Sequence, residues 1–198
     1  MINKSVCVIG AGFVGGSLGQ VLSEKGITVY SYDKAGKVAP GCFAPNSIGE
    51  VRPKNIIDLV KSCENKENFQ NIYFVCLPTP MLRDGSADLS IVESVLDELA
   101  VLPGERIAVV KSTVPPGSVM KWNKKYNLTG LKIIFNPEFL REATALEDMR
   151  NQNRIILGGP RPYINKIKQF YAFVFQNVKI IKTSSTRSEE HTSELQSR

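Results

Sequence analysis

Glu138 and Glu142 lie four residues apart in the segment Asn136-Pro137-Glu138-Phe139-Leu140-Arg141-Glu142, with an arginine beside the second. If this stretch is helical, the two carboxylates share a face, one turn apart. Like charges at that spacing repel, so burial in a closed site would raise at least one pKa toward the working range of a general base. A solvated helix face is the ordinary explanation of such a pair. Here the Asn136-Pro137 lead and the apolar Phe139-Leu140 pair argue against a plain exposed face.

Far upstream stands Gly10-Ala11-Gly12-Phe13-Val14-Gly15, a G-x-G-x-x-G with an apolar strand pattern before it and an amphipathic pattern after it. Gly10 permits a tight turn, Gly12 lets the backbone approach a pyrophosphate, and Gly15 allows helix and strand to pack closely. The helix N-terminus would offer free N–H groups and a positive dipole end to the phosphates. Asp33 follows 18 residues after Gly15, where a carboxylate accepts the adenosine ribose hydroxyls. That favours NAD, because a 2′-phosphate would meet a negative charge. Lys34 and Lys37 keep NADP open, and a purely structural glycine turn is the remaining alternative.

Between these segments lie Cys76-Leu77-Pro78-Thr79-Pro80 and Lys111-Ser112-Thr113-Val114-Pro115-Pro116-Gly117, each after a strand pattern. Ligands of open α/β sheets bind outside the carboxyl ends of strands, so Thr79 and Thr113 should face the cofactor. Their hydroxyls could bond ribose, nicotinamide amide or a catalytic water. On composition alone, prolines fixing a loop with threonine as a local cap explain the same residues equally well.

The elements that must position these residues alternate between short apolar runs and helical patterns, the signature of a parallel α/β sheet. Strands are expected at residues 6–9, 28–32, 72–77, 106–111, 132–135, 154–157 and 178–181. Val14, Leu18, Val21 and Leu22 mark one face of the first helix, which stops at Gly26. Residues 34–54 form a Gly/Pro-rich connection, and a short helix follows near residues 56–63. Ser90 and Glu93 make a capping box for a helix carrying Val92, Val95, Leu96 and Leu99. Pro115-Pro116 can open another helix. A last helix carries Ile164, Ile167, Phe170, Tyr171 and Val174. The expected fold is α/β, one doubly wound Rossmann-like parallel sheet forming a single domain.

At 198 residues, with 42% hydrophobic and 22% charged, the composition is that of an ordinary globular protein, which excludes a disordered chain. No apolar run approaches the ~18 residues of a membrane span, and no signal peptide precedes the first strand, so neither a membrane nor export is expected. The four cysteines, Cys7, Cys42, Cys63 and Cys76, show no metal-like spacing; no metal and a reduced, cytoplasmic setting are expected. The net charge of +6 suits anionic partners, but the lysines are scattered rather than striped with aromatics, which argues against nucleic acid. Residues 187–198 change composition abruptly and resemble the in-frame translation of a sequencing-library adapter. They read as a disordered, artefactual tail, and His191, the sole histidine, lies within it, so no histidine catalysis is expected.

Taken together, Gly10 to Gly15, Leu77 to Pro80, Ser112 to Gly117 and Asn136 to Glu142 resemble the UDP-glucose 6-dehydrogenase family of nucleotide-sugar dehydrogenases, over residues 4 to about 186. That resemblance implies an NAD-binding portion in residues 1–186 of an enzyme that oxidises the C6 alcohol of UDP-glucose to UDP-glucuronate in two hydride transfers. UDP-N-acetylmannosamine or GDP-mannose are the alternative substrates, and a stand-alone NAD-binding module the alternative role. A β-hydroxyacid dehydrogenase shares the glycine fingerprint, but its motifs do not explain Asn136 to Glu142. By the likeness, Gly10, Ala11, Gly12, Phe13, Val14, Gly15, Asp33, Lys37, Leu77, Thr79, Pro80, Ser112, Thr113 and Glu142 would hold NAD. Glu138, Phe139, Leu140, Arg141 and Glu142 would line the junction with substrate. Glu138 resembles the acid/base residue; Glu142 would assist water attack, and Thr113 would order that water.

The chain departs from the family at Ala143, where glycine is usual, at Gln152-Asn153, where Pro-Asp is usual, and at Lys34-Ala35 after Asp33. Family members continue into a central helix with a catalytic lysine and asparagine, through which they often form homodimers. A second domain then carries a nucleophilic cysteine. The four cysteines here do not occupy that place. The expectation is a truncated cofactor half that binds NAD and does not turn over alone.

Overall fold

The computed structural model describes residues 4–43, 55–64 and 68–183. Continuous apolar runs become strands buried on both faces, as parallel sheets require. The order along the chain is β1 (Ser5–Ile9), α1 (Phe13–Glu24), β2 (Thr28–Tyr32), α2 (Ile56–Glu64), β3 (Phe69–Val75), α3 (Ser90–Ala100) and β4 (Arg106–Val110). There follow α4 (Ser118–Lys125), β5 (Leu131–Phe135), a 3₁₀ turn (Glu142–Thr144), α5 (Ala145–Arg150), β6 (Arg154–Gly158), α6 (Arg161–Val174) and β7 (Lys179–Thr183).

The strands form one sheet in the order β2-β1-β3-β4-β5-β6-β7. Side chains alternate across it, and the two faces collect separate cores. Val6, Val8, Phe74, Val109 and Ile134 pack under α1 and α6. Cys7, Ile9, Val75, Val110 and Phe135 pack under α2, α3 and α4. This is the doubly wound α/β arrangement. Pairing is parallel from β2 through β5, but β5 and β6 are antiparallel, so the last two strands run against the rest. The link between β5 and β6 joins antiparallel neighbours and carries the 3₁₀ turn and α5. Its α5 packs on α1, tied by Arg150 Nη2 to Glu24 Oε1 at 2.5 Å. Asn136 to Glu138, which follow β5 directly, leave the sheet at the carboxyl end of the parallel strands.

Three local expectations shift. β3 runs from Phe69 to Val75 rather than 72–77, because Asn71 adopts φ 54° and lets a polar start join the ladder. The expected capping box does not form. Ser90 sits inside α3 and donates its backbone N–H to Asp88 Oδ1 (2.9 Å), while Glu93 accepts from Trp122 Nε1 (2.9 Å). Pro115-Pro116 precedes α4 instead of opening it, since Gly117 at φ 90° turns the chain first. Residues 34–43 return to the outer edge of β2, where Phe43 makes one parallel bridge with Tyr30. The rest of that connection and the tail at 187–198 lie outside the described residues. Among the described residues no helix is long and apolar enough to cross a membrane.

Candidate functional site

β1 lies between β2 and β3, so the chain reverses its direction of winding there, and the loops after β1 and β3 open a crevice at the carboxyl end of the sheet. The glycine loop lines it. Gly10 has φ +94°, and a Cβ there would sit 2.3 Å from the Cys76 carbonyl oxygen. A Cβ on Gly15 would sit 1.8 Å from the Gly10 carbonyl oxygen, so α1 packs directly against the turn that precedes it. Gly12 differs, since a Cβ there meets nothing within 4 Å. Gly12 is also the N-cap of α1, and no side chain caps that terminus. The first-turn N–H groups and an unfilled approach at Gly12 make a cradle for phosphate.

Asp33 closes the far side of this loop. Its Oδ2 accepts the Ala11 N–H (2.9 Å) and its Oδ1 accepts the Ala35 N–H (2.8 Å). Each oxygen keeps acceptor capacity for a hydroxyl. Phe13 and Lys37 are exposed, and Val14 is partly buried. The loops after β3 and β4 are stitched together. The Leu77 N–H donates to Ser112 Oγ (2.9 Å), Thr79 Oγ1 donates to the Thr113 carbonyl (2.8 Å), and the Pro80 carbonyl accepts the Asp88 N–H (2.8 Å). Thr113 itself is exposed.

The segment after β5 differs from expectation. Residues 136–141 are not helical, and Glu142 opens the 3₁₀ turn, so Glu138 and Glu142 do not share a helical face. Asn136 precedes a proline, which disfavours helix, and it is locked by its own bonds. Its N–H donates to the Val110 carbonyl (2.9 Å), and its Nδ2 donates to the Ile156 carbonyl (3.0 Å). Its Oδ1 accepts from Tyr171 Oη (2.5 Å) and Lys111 Nζ (3.3 Å). Glu138 turns inward, its Oε2 buried with no hydrogen-bond partner. Glu142 is exposed. Phe139 lies under the Arg154 guanidinium (5.0 Å), and Leu140 packs against the core. Arg141 is engaged by Asp148, through Nη2 to Oδ1 (2.8 Å) and Nε to Oδ2 (3.2 Å). That pair holds the Asp148 carboxyl well below the usual carboxylate range.

Burial, rather than repulsion between two glutamates, pushes the Glu138 carboxyl up, and the Lys111 ammonium opposes it. Burial pushes Lys111 down, opposed by Glu138 and Cys76. The Cys76 thiol is raised to about 12, again by burial. Lys111, Cys76 and Tyr171 thus belong to the site, although sequence reasoning did not single them out. A charge ending the apolar run Ile107-Ala108-Val109-Val110 at the carboxyl edge of the sheet was the available signal for Lys111.

Residues 4–176 match the NAD-binding domain of the UDP-glucose/GDP-mannose dehydrogenase family. The chain belongs to that family. Among its relatives are a putative UDP-glucose 6-dehydrogenase, YtcA, of Bacillus subtilis (strain 168), 32% identical over 77% of this chain and 39% of its own length. UDP-glucose 6-dehydrogenase 4 of Arabidopsis thaliana is 33% identical over 90% of this chain and 43% of its own. The solved UDP-glucose dehydrogenase of Pyrobaculum islandicum superposes with a TM-score of 0.73 at 25% identity, covering 98% of this chain and 49% of that one. The chain therefore spans about two fifths of the length of the curated relatives it matches. Its part of a family member is the NAD-binding domain, and the room at Gly12 and the uncapped start of α1 fit that cofactor.

Proposed function

We propose that this chain is the cofactor half of an NAD-dependent UDP-glucose 6-dehydrogenase, which takes the C6 alcohol of UDP-glucose to UDP-glucuronate. The observation that carries the reading is Glu138, a buried carboxylate whose Oε2 has no partner, on the loop that follows β5 at the same sheet edge as the glycine loop. Bound NAD supplies the hydride acceptor. The loop from Gly10 to Gly15 and the start of α1 hold its pyrophosphate, and Ala11, Phe13 and Val14 shape that turn. Asp33 accepts the ribose hydroxyls, with Lys37 beside it. Leu77, Thr79, Pro80, Ser112 and Thr113 form the opposite wall.

Oxidation of an alcohol releases a hydride and a proton, and the proton needs an acceptor. Glu138 supplies one, because an ionised carboxylate with an unbonded oxygen is a base poised for a nearby hydroxyl. Glu142, Phe139, Leu140 and Arg141 border the substrate side. Arg141 must leave Asp148 to meet a diphosphate there. Thr113 and Glu142 order and assist the attacking water in the second oxidation.

The residues described so far lack one component. Covalent capture of the aldehyde needs a thiolate, yet Cys7, Cys63 and Cys76 are buried and Cys42 is raised to about 11. We infer that the 198 residues bind NAD without turnover. Fusion of residues 1–186 to the remainder of a curated relative should produce NADH from UDP-glucose, and Glu138→Gln should abolish it. A fusion that folds and binds NAD but stays inactive contradicts the substrate assignment. NADH production by the unfused chain contradicts the requirement for further residues.

A further inference from the structure

Lys111 is a buried cation at the mouth of β4, in a place where an apolar residue would be cheaper to bury. Its Nζ donates to the side-chain oxygen of Asn136 (3.3 Å) and to the Asn136 carbonyl (3.5 Å). Tyr171 Oη, from α6, donates to the same side-chain oxygen at 2.5 Å. With both donors on Oδ1, the Asn136 amide can point only one way. Its Nδ2 then donates to the Ile156 carbonyl and, at 3.3 Å, to the Pro137 carbonyl next to Glu138. Three elements (β4, β6 and α6) so converge on one side chain that precedes the candidate base by two residues.

We propose that Lys111 is the positioning residue of the site, clamping the Asn136-Pro137 backbone so that Glu138 faces inward and serving as the counter-charge that lets this carboxylate stay ionised. This deepens the dehydrogenase reading and rests on it for the role of Glu138. Two further titratable groups border this pair, one on the loop after β3 and one on α6. Cys76 after β3 sits close enough to feel both charges, and Tyr171 on α6 is raised by burial and by Cys76. Both stay neutral at ordinary pH, because their ionised forms are disfavoured in this buried pocket. Among the described residues, Lys111 is therefore the cation that acts on Glu138.

The test is an NMR titration of the Glu138 carboxyl carbon and the Lys111 side chain in the full chain, with no cofactor present. In the wild type the Lys111 resonance should step at the Glu138 midpoint. Lys111→Met should raise that midpoint by about one pH unit or more, and Lys111→Arg should restore it. Glu138→Gln should lower the Lys111 midpoint. A Lys111 signal blind to the Glu138 titration overturns the proposal, as does a folded Lys111→Met variant that loses melting temperature while the Glu138 midpoint stays put. Should Lys111→Met fail to fold, the wild-type coupling and Glu138→Gln decide alone. NAD binding by the wild type reports separately on the dehydrogenase reading, so either can fail without the other.

Discussion

Tyr171 on α6 and Asn136 at the end of β5, 35 residues apart, share a buried hydrogen bond of 2.5 Å. It joins the helix on one face of the sheet to the loop that carries the candidate base. Tyr171→Phe removes the donor and keeps the packing. The cost should be about 0.5–1.5 kcal/mol, because Asn136 Oδ1 loses one buried donor and keeps Lys111 Nζ as the other. Chemical denaturation measures it, and a change of a few tenths would show the bond to be incidental.

Gly12 and Gly15 should respond to alanine in opposite ways. Gly15→Ala forces a methyl against the Gly10 carbonyl, so it should destabilise the fold and abolish NAD binding together. Gly12→Ala meets open space at an ordinary negative φ of −69°. It should fold with unchanged or slightly greater stability, up to about 1 kcal/mol, while the methyl obstructs the pyrophosphate and weakens NAD. Parallel melts and cofactor titrations of the two variants separate these outcomes.

Glu138 gives stability a pH dependence of known sign. Its carboxyl is raised in the folded state, so the folded chain holds that proton more tightly than the unfolded chain. The penalty is absent below the unfolded pKa and grows as pH climbs through the folded value. Glu138→Gln, which stays neutral, should match the wild type in acid and exceed its stability at neutral pH. Equal stabilities across that window would contradict the burial assigned to Glu138. Asp148 works the other way. Held low by Arg141, it contributes stability that disappears as pH falls through its folded value.

At the start of α3 the N-cap is Leu89, and the side chain that accepts a helix-start N–H is Asp88, one residue earlier, rather than Ser90. Asp88→Ala should cost about 1 kcal/mol and Ser90→Ala only a few tenths. Thermal melts of the two variants rank them directly.

The first β-α-β unit was legible from residue types. Val6 to Ile9 is an unbroken apolar strand, Gly10 and Gly15 have backbone reasons to be glycine, and Asp33 falls at the end of β2. What escaped depends on partners distant in sequence. The Ser90–Glu93 spacing fitted a capping box, but Trp122 on α4 claims Glu93, and the Ser90 N–H goes to Asp88. Glu138 and Glu142 had helical spacing, and the bonds of Asn136 to Val110, Ile156 and Tyr171 hold the stretch extended instead. Lys111 and Arg106 sat at the ends of one apolar run as ordinary charges. Folding buries both, Arg106 against Glu64 and the Leu102 carbonyl, Lys111 against Asn136. The reversal of β6 was hidden too, since an apolar strand reads the same in either direction.

The most direct test is calorimetric titration of NAD into the purified chain, alongside NADP and the Gly12→Ala and Asp33→Ala variants. One NAD site per chain is expected, with weaker binding of NADP because Asp33 repels a 2′-phosphate, and with loss of affinity in both variants while folding stays intact. A chain that takes up no NAD, or binds it equally well in well-folded Gly12→Ala, would contradict the placement of the cofactor on the glycine loop.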